Sequence, residues 1–342
     1  MHQFLLSYGL FAAEAVTVLI VIALLMIFFA RLIMAARGAR PEAHVEVRDL
    51  NRHFRDMEDG LLSEMLGRNA WKRHVKARKA EDKTRAKAGR DAPNQPRLFV
   101  LDFAGDVDAS QTIDLREEIS AVLQVAAPQD EVLLRLESPG GLVHSYGLAA
   151  SELRRLREHG LKLTVAVDKV AASGGYMMAC VADTIIAAPF AVVGSIGVVA
   201  QLPNFHRLLE KNDIDVELHT AGAYKRTLTM FGENTDAGRA KFLAELEDTH
   251  ELFKAFVGEN RPQVAVANVA TGEHWYGTRA LTLKLVDQLK TSDDYVLERT
   301  RDHAVYALHY RRHQSLRDRL TGQFTRLAAT PVGALLNHWL RN

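Results

Sequence analysis

The stretch Val170-Ala171-Ala172-Ser173-Gly174-Gly175-Tyr176 follows a β-branched run, Leu161–Val167, and opens an apolar segment that ends at Ala182. This pattern predicts a strand, a turn of small residues and a buried helix, with Ser173 at the turn. Small neighbours leave the serine hydroxyl open to a bound carbonyl, and a helix N-terminus offers backbone N–H groups. The same residues also fit an ordinary helix cap beside glycines that permit a tight turn. The turn alone leaves a nucleophile and a cap both open.

Apolar runs and amphipathic segments alternate beyond Pro96. The pattern predicts strands at Leu98–Phe103, Val132–Leu136, Leu161–Val167, Thr184–Ala187 and Val216–Thr220, and helices at Ile113–Ala126, Val143–Glu158, Ser173–Ala182, Phe205–Asn212 and Asp236–Val257. Strand–helix alternation is typical of an α/β fold with a mainly parallel sheet that is covered on both faces.

The N-terminal region is strongly apolar from Leu10 to Ile33, with an uncharged core from Ala15 to Ala30. A helix that spans a bilayer needs about 20 such residues, so we predict a single transmembrane helix. Arg31, Arg37 and Arg40 follow it, and positive charge next to a span favours the cytoplasmic side for the body of the chain.

The chain divides into four predicted parts. Residues 1–40 are the transmembrane anchor, 41–96 a basic helical or disordered linker, 97–300 the α/β domain, and 301–342 a basic amphipathic tail for packing or assembly. Within the linker, Lys72–Arg90 carries nine Lys and Arg residues against Glu81 and Asp82. Such a run is usually a solvated helix or a disordered linker, and contact with anionic lipid is the alternative.

Composition excludes several functional classes. The 342 residues contain 43 Lys and Arg against 42 Asp and Glu, a balance that argues against a nucleic-acid-binding protein. The single cysteine, Cys180, excludes an internal disulfide and lies in an apolar stretch without basic neighbours, which argues against a reactive thiol. The 14 histidines show no metal-ligand spacing, so we predict neither a metal nor another cofactor.

A second glycine-containing turn, Glu137-Ser138-Pro139-Gly140-Gly141, directly follows a predicted strand. In α/β sheets the carboxyl ends of strands form the crevice where ligands bind, and glycine lets a backbone N–H point into it. Paired with the N–H of Gly174, the N–H of Gly141 would make a two-donor oxyanion hole. An ordinary turn explains the same residues.

A serine nucleophile needs a base, and Lys225 in Ala221–Thr227 is the candidate, since it follows small residues in a predicted loop. A lysine takes up a proton only when neutral, so burial must lower its pKa from about 10.4 to about 7 or 8. Ser195 could hydrogen-bond and orient the amine, or cap a turn. A solvated lysine beside Arg226 remains the alternative.

Four motifs in one order carry a resemblance to a known family. They are SPGG at 138–141, AASGGY at 171–176, GSIGV at 194–198 and AYK at 223–225, followed by WYG at 275–277. From about Leu98 to Leu289 the sequence resembles the signal peptide peptidase A family of membrane-anchored serine-lysine peptidases. The resemblance implies these roles: Ser173 as nucleophile, Lys225 as base, Ser195 as its partner, Gly141 and Gly174 as oxyanion donors, and Gly140 and Tyr224 as supporting residues.

The resemblance also implies a crotonase/Clp-protease-like fold. The Clp peptidases place a histidine about two dozen residues after the serine, whereas Ser195–Val199 contains none, which favours a Ser-Lys dyad. Long family members carry the fold twice, and this chain shows no internal repeat. The family further implies a homo-oligomer, in which Lys225 can serve Ser173 of another copy.

The expected activity is that of a serine endopeptidase of the bacterial inner membrane, which hydrolyses unfolded or membrane-released peptides such as signal peptides. Its expected partners are peptide substrates, the membrane and other copies of itself. Relatives with a periplasmic active domain oppose the cytoplasmic charge bias, so the side of the membrane stays open. A non-catalytic membrane scaffold and a crotonase-type acyl-thioester enzyme that binds coenzyme A are the alternatives.

Overall fold

The computed structural model describes residues 16–17, 19–22, 24–27, 43–88 and 95–312, the last four residues of 43–88 by their backbone only. Residues 45–310 form one compact unit. Its two ends extend beyond the predicted α/β domain, because residues before 97 and after 300 add strands to the main sheet.

The main sheet has seven strands in the order β1-β10-β2-β3-β4-β6-β9. Every pairing from β10 to β9 is parallel, as the alternation of strands and helices predicts. The strands are β1 (His44–Asp49), β2 (Arg97–Ala104), β3 (Glu131–Glu137), β4 (Lys162–Val167), β6 (Thr184–Ala187), β9 (Gln288–Leu289) and β10 (Ala304–Arg311).

A second sheet has three short strands: β5 (Val170–Ala172), β7 (Val192–Gly194) and β8 (His274–Tyr276). Strands β5 and β7 pair in parallel, and β7 and β8 pair antiparallel. The Ser138 backbone joins this sheet by an isolated parallel bridge to Ala171, so the turn after β3 is fastened to the strand that leads to Ser173.

Helices cover both faces of the main sheet, which explains why its central strands are apolar on both sides. Alternate β2 residues point to opposite cores: Phe99 and Leu101 enter the larger core, whereas Leu98 and Val100 enter the smaller one. The helices are α1 (Leu50–Met65), α2 (Arg68–Ala88), α3 (Thr112–Val125), α4 (Val143–Glu158), α5 (Gly174–Ala179), α6 (His206–Glu210), α7 (Asp236–Asn260), α8 (Val266–Val269), α9 (Gly277–Thr282) and α10 (Ser292–Arg299).

The first part of the predicted linker, Val45–Met65, contains most of the strand β1 and the helix α1. Its first helical turn is part of the fold, because the buried Asn51 amide donates to the carbonyl oxygens of Thr300 and His303, and its oxygen accepts from the Val305 N–H. Three backbone groups near β10 thereby depend on one side chain. The basic run of the predicted linker is the helix α2.

The strand predicted at Val216–Thr220 is wrong, since residues 214–220 have no regular structure. Ile214, Val216 and Leu218 alternate with polar residues as a half-buried strand would, yet all three are exposed. A strand needs a neighbouring strand to receive its backbone hydrogen bonds, and the single chain supplies none there.

The predicted transmembrane helix, Leu10–Ile33, lies largely outside the described residues. The residues of this segment that the structure does describe, between 16 and 27, are helical. Within the described part, no helix has the length and apolar character to cross a bilayer. Residues 313–342, most of the predicted C-terminal tail, also lie outside the description, and residues 304–311 of that tail are the strand β10.

Candidate active site

Ser173 stands between β5 and α5 with φ 52° and ψ −119°, a left-handed backbone conformation that is uncommon for residues other than glycine. It occupies the N-cap position of α5, but its side chain makes no capping hydrogen bond. The capping interpretation is therefore wrong. Ser173 is half-buried and its hydroxyl is not engaged by its own helix, and an unusual backbone conformation of this kind is often found at functional sites.

Gly140 lies directly against Ser173. A Cβ placed on Gly140 would come within 2.8 Å of the Ala172 carbonyl oxygen, the Gly174 nitrogen and the Ser173 Cβ. Gly140 also has φ +92°, so both the space and the backbone require glycine. The two glycine-containing turns, 33 residues apart between Gly140 and Ser173, are thus in contact.

Backbone hydrogen bonds hold these turns together. The Ser138 N–H donates to the Val170 carbonyl over 2.8 Å, and the Ala172 N–H donates to the Ser138 carbonyl over 3.0 Å. The Ser173 N–H in turn donates to the Gly194 carbonyl over 2.8 Å. Three separate sequence motifs are therefore joined through main-chain atoms, which do not depend on side-chain rotamers.

A buried tyrosine supports the turn at Gly140, and sequence reasoning missed it. The Tyr146 hydroxyl donates to the Asp106 carbonyl over 2.7 Å and lies 2.6 Å from Ser138 Oγ, which accepts the Gly140 N–H over 3.1 Å. The Tyr146 ring occupies the space beside Gly174 where a side chain would stand. Burial raises the pKa of this phenol, which keeps it protonated as a donor.

The backbone N–H groups of Gly141 and Gly174 have no hydrogen-bond acceptor among the described residues. The first precedes α4 and the second begins α5, where a helix leaves its N–H groups unsatisfied. The Gly140 N–H, by contrast, is engaged by Ser138 Oγ. These are the two donors that the sequence predicts for an oxyanion hole.

Ser195 lies beside Ser173. Because Ala172 pairs with Gly194 in the β5–β7 register, the next residues, Ser173 and Ser195, leave the two strands together. Ser195 also has a left-handed φ of 50°, and its N–H donates to the Glu273 carbonyl over 2.6 Å. The structure therefore places Ser195 next to Ser173 at the ends of two paired strands.

Lys225 lies in a long exposed segment between α6 and α7. In the described single chain, its amine has neither a hydrogen bond nor an ion pair, so nothing joins it to Ser173. Tyr224 is also exposed, with its ring 5.2 Å from the Lys241 amine. Of the predicted site residues, the structure unites Ser173, Gly140, Gly141, Gly174 and Ser195, and leaves Lys225 and Tyr224 on the segment.

Within the described residues, neither a metal site nor a reactive thiol accompanies the serine. The part of the chain that the structure describes contains no group of three or more His, Cys, Asp or Glu residues that could hold a metal ion. Cys180 is buried, and burial raises the pKa of its thiol to about 12, which keeps it protonated and unreactive.

Comparisons with known proteins identify the family. The N-terminal profile of peptidase family S49 matches residues 3–153, and the peptidase family S49 profile matches residues 155–305. A Haemophilus influenzae protein named "Probable protease SohB" is 50% identical over 327 residues, which are 92% of each chain. The chain belongs to peptidase family S49. Membership of peptidase family S49 makes it a protease.

A second relative agrees with the S49 assignment. A "Probable protease SohB" from Buchnera aphidicola subsp. Schlechtendalia chinensis is 49% identical over 306 residues, 87% of this chain and 100% of that protein. Among solved structures, a mutant of a membrane-bound stomatin-specific protease in complex with a substrate peptide is similar with a TM-score of 0.43 and 13% identity, over 69% of this chain and 100% of that one.

Proposed function

We propose that this S49 protease is a serine endopeptidase with a Ser-Lys dyad on a crotonase/Clp-like fold, in which Ser173 is the nucleophile and Lys225 the general base. The observation that carries the proposal is the conformation of Ser173. Its left-handed backbone, its hydroxyl free of its helix, and the contact with Gly140 have no use in a turn that only connects two elements.

The proposed reaction runs through an acyl-enzyme. Neutral Lys225 takes the proton of Ser173 as its Oγ attacks the scissile carbonyl, and the N–H groups of Gly141 and Gly174 donate to the oxyanion. The C–N bond then breaks, and the ammonium of Lys225 returns the proton to the leaving amine. Water then attacks the resulting ester and gives a proton to Lys225. The ester C–O bond breaks, Lys225 returns this proton to Ser173 Oγ, and the acid product leaves.

The base must reach the serine in an assembly, because the single chain leaves it exposed. Residues 199–231, which include α6 and Lys225, expose a series of apolar side chains, of which Val199 is 90% exposed: Val199, Leu202, Phe205, Leu208, Ile214, Val216, Leu218, Tyr224 and Phe231. Exposed apolar surface of this extent is typical of a protein interface. A second copy that covers it would also desolvate Lys225, and desolvation lowers the pKa of a lysine.

The proposal extends to the setting of the reaction. The apolar run Leu10–Ile33 would anchor the protein in the bacterial inner membrane, and unfolded or membrane-released peptides such as signal peptides would be the substrates. A substrate strand would add beside Gly140-Gly141, with its small or apolar side chains in shallow pockets. Resistance of the protein to carbonate extraction from membranes tests the anchor. Protease accessibility of its C-terminus in spheroplasts tests on which side of the membrane the protease domain lies.

Covalent labelling with a fluorophosphonate probe tests the dyad. The wild-type labelling rate is expected to rise with pH through an apparent pKa near 7 or 8, and peptide mapping should place the label on Ser173. Lys225→Ala should lower the rate at neutral pH by about 10²–10⁴-fold and remove that pH dependence.

Lys211→Ala is the matched control, since Lys211 is an exposed lysine of the same segment. It should label as the wild type does. If Lys225→Ala also labels at the wild-type rate, Lys225 is not the base. If the probe labels Ser173→Ala equally well, Ser173 is not the nucleophile.

A further inference from the structure

Helix α2 presents two different faces. Trp71, His74, Val75 and Arg78 recur at helical spacing and are half-buried. Arg78 forms ion pairs with Glu58 and Asp59 of α1, and His74 Nε2 lies 2.9 Å from the Asp59 carboxylate. These contacts define the face that packs on α1 and fix which side of α2 is turned outward.

Beside that face runs a line of four exposed lysines, which we call the lysine stripe: Lys72, Lys76, Lys79 and Lys83. Their spacing of four, three and four residues places them within an arc of about 60° on an α-helix and over about 16 Å of its length. All four are exposed, and within the described residues none has an ion-pair partner. The acidic residues of the helix, Glu81 and Asp82, fall outside this arc.

The charge of α2 differs sharply from that of the whole chain. Between Arg68 and Ala88 there are nine Lys and Arg and two Asp and Glu, a formal charge of +7. The chain totals +1, so the remainder carries −6. Like charges at i and i+4 destabilise a helix, and a face that served only for solubility would mix both signs. The positive charge is therefore concentrated on one exposed face.

We infer that the lysine stripe binds the surface of an anionic lipid membrane, an inference that rests on the proposed membrane anchor. The predicted span ends at Ile33 and β1 begins at His44, and eleven residues reach at most about 40 Å even when fully extended. Anchoring would therefore keep the start of β1 within about 40 Å of the membrane, a distance that leaves α2 able to reach the lipid headgroups. Lysine is a compact, strongly hydrated charge on a flexible stem, which suits the diffuse field of many headgroups.

Other anionic partners fit the stripe less well. Recognition of single-stranded nucleic acid uses aromatic side chains on which bases stack, and the one aromatic ring near the stripe, that of Trp71, is turned inward and stacked on His74. The neighbouring helix α1 also exposes apolar side chains at a spacing of four residues: Met57, Leu61 and Met65. Basic and apolar side chains together are typical of helices that lie on membrane interfaces.

Lysine footprinting on the full-length protein tests the inference. The protein is reconstituted into phosphatidylcholine vesicles or into vesicles with about 30% phosphatidylglycerol, and each lysine's acetylation rate is measured by mass spectrometry. The stripe should be acetylated at least about fivefold more slowly on the anionic vesicles, since a basic residue at an anionic surface gains about that factor. Exposed Lys211 should react equally on both, and high salt should remove the difference.

Two quadruple variants complete the test. Replacement of all four stripe lysines by glutamine should weaken footprint protection of Lys87, the next lysine along the sequence, to the level on neutral vesicles, whereas replacement by arginine should preserve it. Activity on a soluble peptide should be unchanged in both, because α2 lies outside the site.

Equal acetylation of the stripe on both vesicle types would overturn the inference, and so would protection of equal strength on neutral vesicles, which would indicate cover by protein. Failure of the anchor is distinguished by flotation: a chain that does not float with neutral vesicles lacks the anchor, whereas one that floats without protection of the stripe has the anchor and refutes only the docking.

Discussion

Replacement of Gly140 by alanine tests the contact between the two glycine-containing turns. Two effects combine at this position. A non-glycine residue at φ +92° costs about 1–2 kcal/mol, and the new Cβ would stand 2.8 Å from three neighbouring atoms, two of which belong to the backbone. Ordinary contact begins at 3.4 Å, so these atoms must separate by about 0.6 Å, between the two turns that each carry one proposed oxyanion donor.

A displacement of this size is large for catalysis. Misplacement of a reacting group by about 1 Å can cost about 10²-fold in rate, and loss of one oxyanion donor costs about 10²–10³-fold. We therefore expect Gly140→Ala to lower kcat on a fluorogenic peptide by about 10²-fold or more, with unfolding free energy reduced by about 2–4 kcal/mol. The assays are steady-state kinetics and thermal unfolding.

Gly160→Ala is the matched control. Gly160 also has a positive φ, +78°, but nothing lies within 4 Å of the added Cβ. The Gly160→Ala variant should lose about 1 kcal/mol of unfolding free energy, which is the cost of the backbone conformation alone, and should keep the wild-type kcat. The reasoning is refuted if Gly140→Ala retains kcat within about threefold of Gly160→Ala, because the collision at Ser173 would then have no consequence for the reaction.

Three further perturbations have defined outcomes. Asn51→Ala should lower the unfolding free energy by about 3 kcal/mol in chemical denaturation, since three backbone groups lose their partner, whereas exposed Asn212→Ala should change it by less than about 0.5. Burial raises the pKa of the Glu118 carboxyl from 4.5 to about 7. As the pH rises between these values, the unfolding free energy of the wild type should therefore fall by up to about 3 kcal/mol relative to that of Glu118→Gln. Stability curves that stay parallel over this pH range would contradict the prediction. Tyr146→Phe should lower kcat about tenfold and KM little, because Ser138 loses one partner.

Most of the α/β framework was predictable, because strands covered on both faces read as apolar runs. The strand predicted at Leu98–Phe103 is β2, and the one at Val132–Leu136 is β3, each within a residue at either end. The edge strand β1 was missed, since its side chains are almost all exposed and carry no burial pattern. The strand β10 was assigned to a tail, although its pairing with β2 places it inside the sheet.

The candidate site was predictable to the extent that it resides in backbone turns. Glycines mark positions that allow only glycine, as at Gly140, so the motifs identify the atoms around Ser173. Tyr146 gave no such signal: helical spacing shows that it is buried, but its partners Asp106 and Ser138 come from other loops and meet only in the folded chain. The strand predicted at Val216–Thr220 failed because alternation specifies a strand but not its neighbour.

The edge position of β1 has a mechanical consequence. Any pull on the N-terminal segment is applied first to the outermost strand, with β10 and β2 between it and β3, whose end carries the Ser138 turn. Force on the N-terminal segment would therefore disrupt the edge of the sheet, where the Asn51 side chain binds backbone groups near β10, before it disturbed the main-chain hydrogen bonds around Ser173. The protein can therefore be held at one edge of its main sheet while the backbone geometry around Ser173 stays unchanged.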